Sequence, residues 1–254
     1  ITNSDTDIHK DYAVDHVMLG DAKLVLAQLT AAIKTRISAG ASPAADPRVK
    51  VAAAKKTWMD EWLPRLTSDE EPINPYRVIW DLMHSVDLGT TVVTHDAGNP
   101  RDQMAPFWQA LPSAYYIGWG KSTQLGYGHG LAYGAKLAMP DRLGVNVMGD
   151  TAVGMSGMDF ETAVRNDIGV ITVILNNGEM GGYDAFMPAA NERYNAKNLT
   201  GDYAGVAAAL GCHTRKVDKI ADLKPAIERA KEVVAGNRPA VIEVKTRPDP
   251  VFSR

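Results

Sequence analysis

The sequence predicts an α/β fold, a parallel sheet with helices on both faces. Three observations predict it. The runs TTVVTH (90–95), GVNVM (144–148), GVITVIL (169–175) and AVIEVKT (240–246) are largely apolar rather than alternating, as strands buried on both faces are. Helix-length segments separate them, the alternation that builds a parallel sheet. Polar, glycine-flanked clusters follow two of the strands, at 149–151 and 176–179. Both would lie at the carboxyl edge of the sheet, where ligands bind in such folds.

The elements follow in order. Residues 1–20 read as a loop plus a short strand, AVDHVML (13–19). Residues 21–38 read as an amphipathic helix, with Leu24, Leu26, Ala27, Leu29, Ile33 and Ile37 near helical spacing. Asp21 is placed to cap it. AGASPAADPR (39–48) is a linker rich in small residues and proline. Residues 49–66 look helical, with Trp58 and Trp62 on one face. The charged turn SDEEPINP (68–75) marks the start of the main domain. The expected division is therefore 1–38, a linker and helix over 39–75, and a principal domain over 76–254. Within that domain helices are expected at 76–86, 157–166, 203–210 and 222–235, with a Gly-rich stretch and helix over 118–138, before and between the strands.

Composition narrows the function. The chain has 27 basic and 30 acidic residues, which argues against a nucleic-acid footprint and its basic surplus. No apolar run reaches the roughly 18 residues that span a bilayer, so no membrane partner is expected. The polar N-terminus shows no signal peptide. One cysteine, Cys212, excludes an intrachain disulfide and a four-thiolate zinc site; a reducing cytoplasm fits. The chain lacks an initiator Met and opens in mid-phrase, as a piece of a longer protein would.

Asp150 and Asn177 are 27 positions apart, room for one helix and one strand between them. A carboxylate, an amide oxygen and a nearby backbone carbonyl are hard oxygen ligands. Magnesium prefers such ligands and leaves the rest of its octahedron to phosphate oxygens and water. The adjacent glycines let a diphosphate approach the main chain. The bland alternative is two loop turns with polar caps. It prevails for Gly149-Asp150 alone, but not for the pair at this spacing.

The pattern GDT…LNN resembles the thiamine diphosphate motif, usually GDG followed some two dozen residues later by NN. By this resemblance the chain is identified as the C-terminal thiamine-diphosphate-binding part of a member of the acetolactate synthase/2-oxoacid decarboxylase superfamily. The resemblance implies thiamine diphosphate and Mg2+ as cofactors. It implies Asp150, Asn177 and the backbone carbonyl of Glu179 as metal ligands, with Gly149, Thr151 and Ala152 beside the cofactor. Thr151 departs from the usual Gly. GWGKSTQLGYGHGLAYGAKLA (118–138) resembles the segment whose large apolar side chain wedges the cofactor into a bent shape. That side chain would be Leu125, the candidate catalytic residue, with the carbonyl of Thr123 accepting from the pyrimidine amino group. The alternative for Leu125 is a plain core leucine. VVTHDAGNPRDQ (92–103) resembles the loop bordering the diphosphate, lined by Ala97, Gly98 and Asn99. His95 and His129 are better read as structural than as acids or bases.

Residues 1–33 resemble the end of the family's middle domain. The implied partner is an N-terminal pyrimidine-binding domain, of the same or a second chain, in a homodimer or homotetramer. That domain carries the activating glutamate, for which this sequence offers no candidate; Glu161 reads as solvated. GMSGMDFET (154–162) is similar to the oxalyl-CoA decarboxylase and 2-hydroxyacyl-CoA lyase type, and LNNGE leans the same way. Gly181 to Phe186 reads GGYDAF, unlike the Gly-Met-Val continuation usual in acetolactate synthases. The implied substrate is a 2-oxoacid or an acyl-CoA, with Met155, Met180 and Tyr183 as substrate-side candidates. Alternatives are an acetolactate synthase-like carboligase and a non-catalytic fragment or split subunit. A nicotinamide-binding domain fits poorly, since no G-x-G-x-x-G follows the first strand.

Overall fold

A computed structural model describes residues 1–42, 46–111, 115–118 and 124–253. It divides into two compact units, Ile1–Trp58 and Met59–Arg254. In the first, helix α1 (Ala22–Ser38) is capped as expected: the Asp21 side chain accepts from the Leu24 N–H at 3.0 Å. No residue of α1 is buried. The strand expected at 13–19 does not form, and only Leu19 makes an isolated bridge, to Thr2. All of 13–19 is exposed, so no neighbouring strand or packed face rewards extension there. Helix α2 (Pro47–Leu66) carries the chain into the second unit.

The second unit holds a six-stranded sheet. Its strands are β1 (Thr91–His95), β2 (Tyr116–Ile117), β3 (Leu143–Gly149), β4 (Val170–Asn176), β5 (His213–Val217) and β6 (Ala240–Lys245). Their order is β2-β1-β3-β4-β6-β5 and every pairing is parallel. β4 is buried along its whole length, which explains why five of its seven residues are apolar. Its alternate residues feed two cores. Ile171, Val173 and Leu175 pack with helix α3 (Pro75–His84) and helix α11 (Leu223–Ala235). Ile174 packs on the other face with Met148, Val153 and Phe160.

β5 is not visible in the sequence. HTRKV is polar because the strand forms the sheet's edge, and only Val217 is fully buried. Of the Gly-rich stretch and helix expected over 118–138, the helix is α5 (Tyr127–Ala138), which starts after a left-handed Gly126. The expected helix over 157–166 is α7 (Asp159–Arg165), preceded by a separate α6 (Asp150–Ser156). Two short helices, α8 (Tyr183–Phe186) and α9 (Pro188–Tyr194), have no buried residue; without an apolar stripe they leave no periodic signal. Helix α10 (Tyr203–Ala209) precedes β5.

The topology locates the crevice. From β1 the chain passes through helix α4 (Asn99–Met104) to β2 at one side. It returns through α5 to β3 at the other side of β1, and continues to β4. The connections diverge between β1 and β3, which opens a gap above their carboxyl ends.

Candidate functional site

A cavity of about 410 Å³ lies at that gap. It gathers ten of the eleven residues singled out from the sequence. The turn after β1 supplies Ala97, Gly98 and Asn99; the end of β3 and start of α6 supply Gly149, Asp150, Thr151 and Ala152; the loop after β4 supplies Asn177 and Glu179; and Leu125 completes the set. Thr123 lies outside the described residues. Of the substrate-side candidates, Met180 and Tyr183 line the cavity, whereas Met155 does not and is 60% exposed. Arg101, Gln103 and Arg247 also line it. Arg101 and Gln103 fall in the stretch 92–103 that resembles the diphosphate loop, although neither was singled out; the context of Arg247, TRPDP, carried no signal.

Asp150 is buried and held on both oxygens. Oδ1 accepts from the Thr151 N–H at 2.7 Å and Oδ2 from the Gly178 N–H at 2.8 Å. Burial pushes its carboxyl above the usual carboxylate range, while the bonds from Gly178 and Thr151 pull it back. The Asn177 side-chain oxygen accepts from the Glu179 N–H at 3.0 Å, folding the loop into a tight Asx turn. Gly178 takes φ +72° there, which glycine adopts without strain. The preceding Asn176 points into the protein and donates to Glu243 Oε1 at 2.6 Å, and Glu243 Oε2 accepts from the Ala204 N–H at 2.7 Å. The two adjacent asparagines therefore do different work: Asn176 anchors the loop and Asn177 faces the cavity. The Glu179 carboxylate turns to Lys197 at 3.3 Å.

The site fits a diphosphate held through one divalent cation. Its donors are hard oxygens, and a magnesium bound partly by phosphate needs only one or two carboxylates. Gly98 has φ +75°, and no atom lies within 4 Å of where a Cβ would project. At Gly149 the nearest such atom is Pro100 Cγ at 3.9 Å. A ligand can therefore approach both backbones.

Leu125 stands half-buried beside the core of Met148, Ala152, Val153 and Phe160, and also lines the cavity. Neither histidine reaches the cavity. His95 is buried, with Nδ1 near the Asp96 carbonyl at 3.2 Å and the Tyr127 hydroxyl at 3.1 Å. His129 Nδ1 meets the Ser156 carbonyl at 3.2 Å and its hydroxyl at 3.1 Å. Its ring is stacked on Tyr133 and lies edge-on to Phe160. Glu161 is on the surface, paired with Arg165 at 2.9 Å.

Comparison with known proteins identifies the family. Residues 96–244 match the family model described as thiamine pyrophosphate enzyme, C-terminal TPP binding domain. A protein named probable acetolactate synthase from Mycobacterium bovis is 34% identical over 208 residues, 81% of this chain and 37% of that protein. A sulfoacetaldehyde acetyltransferase from Castellaniella defragrans is 28% identical over 247 residues, 89% of this chain and 40% of that protein. A 2-hydroxyacyl-CoA lyase from Arabidopsis thaliana is 32% identical over 123 residues, 47% of this chain and 22% of that protein. The chain thus spans about two fifths, or less, of the length of these curated relatives.

Proposed function

The chain belongs to the thiamine pyrophosphate enzymes, as their C-terminal cofactor-binding domain, and from that premise we propose that it supplies the diphosphate and metal half of an active site that cleaves or forms a carbon–carbon bond next to a carbonyl. The convergence of ten motif residues on one cavity supports the reading most directly. Asp150, Asn177 and the Glu179 carbonyl would hold Mg2+, and Ala97, Gly98 and Asn99 would border the diphosphate. Leu125 would press on the cofactor from the α5 side, with Met180 and Tyr183 towards substrate. When bound, thiamine diphosphate supplies a thiazolium ring that takes up the electron pair released as a bond to a carbonyl carbon breaks. This chain's own residues bind, orient and exclude water.

In this reading residues 1–38 end a middle domain, 39–75 connect, and 76–254 bind cofactor. The activating glutamate comes from an N-terminal domain of the same or a second chain, in a homodimer or homotetramer working in the cytoplasm. The substrate is a 2-oxoacid or a 2-hydroxyacyl-CoA, and GMSGMDFET and LNNGE favour the acyl-CoA of the two. A second reading, a carboligase acting on 2-oxoacids, is favoured by the 34% identity to a protein named acetolactate synthase. The test is to titrate the full-length enzyme with thiamine diphosphate in Mg2+, then offer pyruvate and a 2-hydroxyacyl-CoA in parallel. Turnover of the acyl-CoA supports the lyase reading, and acetolactate from pyruvate the second. No binding of the cofactor would overturn both.

A further inference from the structure

Asp96 follows the last residue of β1 and is wholly buried. Its own N–H donates to the Val147 carbonyl at 2.8 Å, which registers it against β3. Its carboxylate collects three backbone N–H groups. Oδ1 accepts from Ala97 at 2.8 Å and from Gly126 at 2.9 Å. Oδ2 accepts from Gly126 at 3.1 Å and from Gly128 at 3.0 Å. One side chain therefore ties the turn that borders the cavity at Ala97–Asn99 to the turn that presents Leu125.

The surrounding residues are shaped for this contact. Gly126 sits in the left-handed region at φ +92°, which turns its N–H inward at no steric cost. A Cβ on Gly128 would lie 2.9 Å from Asp96 Oδ2 and 2.7 Å from Asn146 Oδ1, so only glycine lets the carboxylate approach. Hydrogen bonds to an ionised acceptor are the strong kind. Asparagine in its place would turn an N–H donor towards N–H donors, leaving at least one unpaired.

We propose that Asp96 is a positioning residue for the cofactor: by holding Gly126 and Gly128 it fixes Leu125 at a set distance from the diphosphate loop, and so sets how the two rings of bound thiamine diphosphate face each other. This rests on the cofactor reading above. Asp96 touches no reacting atom and acts through Leu125.

The test uses the full-length enzyme and the Asp96→Asn variant, with three readouts. In cofactor-free wild type, the amides of Gly126 and Gly128 are protected from hydrogen exchange, and the variant loses about tenfold or more of that protection. The dissociation constant for thiamine diphosphate in Mg2+ stays within about threefold, while kcat falls roughly a hundredfold, because misplacing reacting groups by about an ångström costs that much. If Asp96→Asn does not fold, Gly128→Ala carries the same comparison, since it displaces the carboxylate without removing it. Unprotected Gly126 and Gly128 amides in wild type would overturn the proposal. So would an unchanged kcat, or equal proportional losses of kcat and cofactor affinity. A wild-type enzyme that does not bind thiamine diphosphate at all would overturn the cofactor reading instead.

Discussion

Asp150 Oδ2 accepts a hydrogen bond from the Gly178 N–H at 2.8 Å, across 28 positions of sequence. The bond joins the start of α6 to the loop after β4, the two halves of the motif. It holds one carboxylate oxygen in a fixed direction beside Asn177 and Glu179.

Asp150→Ala should abolish Mg2+-dependent cofactor binding. In the proposed metal site Asp150 is the one carboxylate ligand, so the expected weakening is on the order of a hundredfold or more. Calorimetric titration of the full-length variant is the check. Unchanged affinity with Mg2+ present would remove Asp150 from the metal.

Leu125→Ala should harm chemistry more than binding. The side chain is half-buried, so the stability loss should fall at or below the roughly 2–5 kcal/mol of a fully buried leucine. Hydrogen–deuterium exchange at C2 of the bound cofactor should slow on the order of a hundredfold. Exchange at the wild-type rate would return Leu125 to the core and shift the wedge role elsewhere in residues 118–130.

His129 should make the fold sensitive to acid. Burial lowers its pKa from 6.5 to about 4, against smaller opposing effects from the Ser156 carbonyl and Asp159. Between pH 6.5 and about 4 the unfolded chain binds a proton that the folded chain refuses. Stability then falls with decreasing pH, by up to about 1.4 kcal/mol per unit from this one group. Above pH 6.5 the contribution is flat. Urea midpoints from pH 7 to 4.5 in wild type and His129→Asn would isolate it. Equal slopes in the two proteins would refute it.

Glu243→Ala should destabilise the fold by roughly 3 kcal/mol, because it strips the Asn176 amide and the Ala204 N–H of a charged acceptor in a buried place. Cofactor affinity should fall as well, since Asn176 anchors the loop that carries Asn177. A denaturant midpoint equal to wild type would contradict the anchoring role.

Asp150 and Asn177 were legible because each follows a strand whose apolar run is visible, whereas the loop Ala97–Asn99 was legible through its resemblance to a known segment. The topology of a parallel sheet then puts all strand ends at one edge. Leu125 was legible only through its resemblance to a known segment, since by periodicity it is one more apolar residue.

What the sequence by itself determined is the parallel sheet, since strands covered on both faces are mostly apolar rather than alternating. It also determined the residue types after β3 and β4. Tertiary structure alone decided the rest. β5 forms because β6 offers it a partner edge, not because HTRKV is apolar. The segment 13–19 forms no strand, because beyond the single Leu19–Thr2 bridge it pairs with no neighbouring strand and is exposed throughout. Asn176 and Asn177 look equivalent in the sequence, and only the buried Glu243 carboxylate decides which one turns inward. Asp96 is one more loop acid until the fold brings Gly126 and Gly128 within 3.1 Å of its oxygens. Those contacts join residues about thirty positions apart, and no local pattern records them, because a hydrogen bond to a backbone N–H asks nothing of the donor's side chain beyond making room.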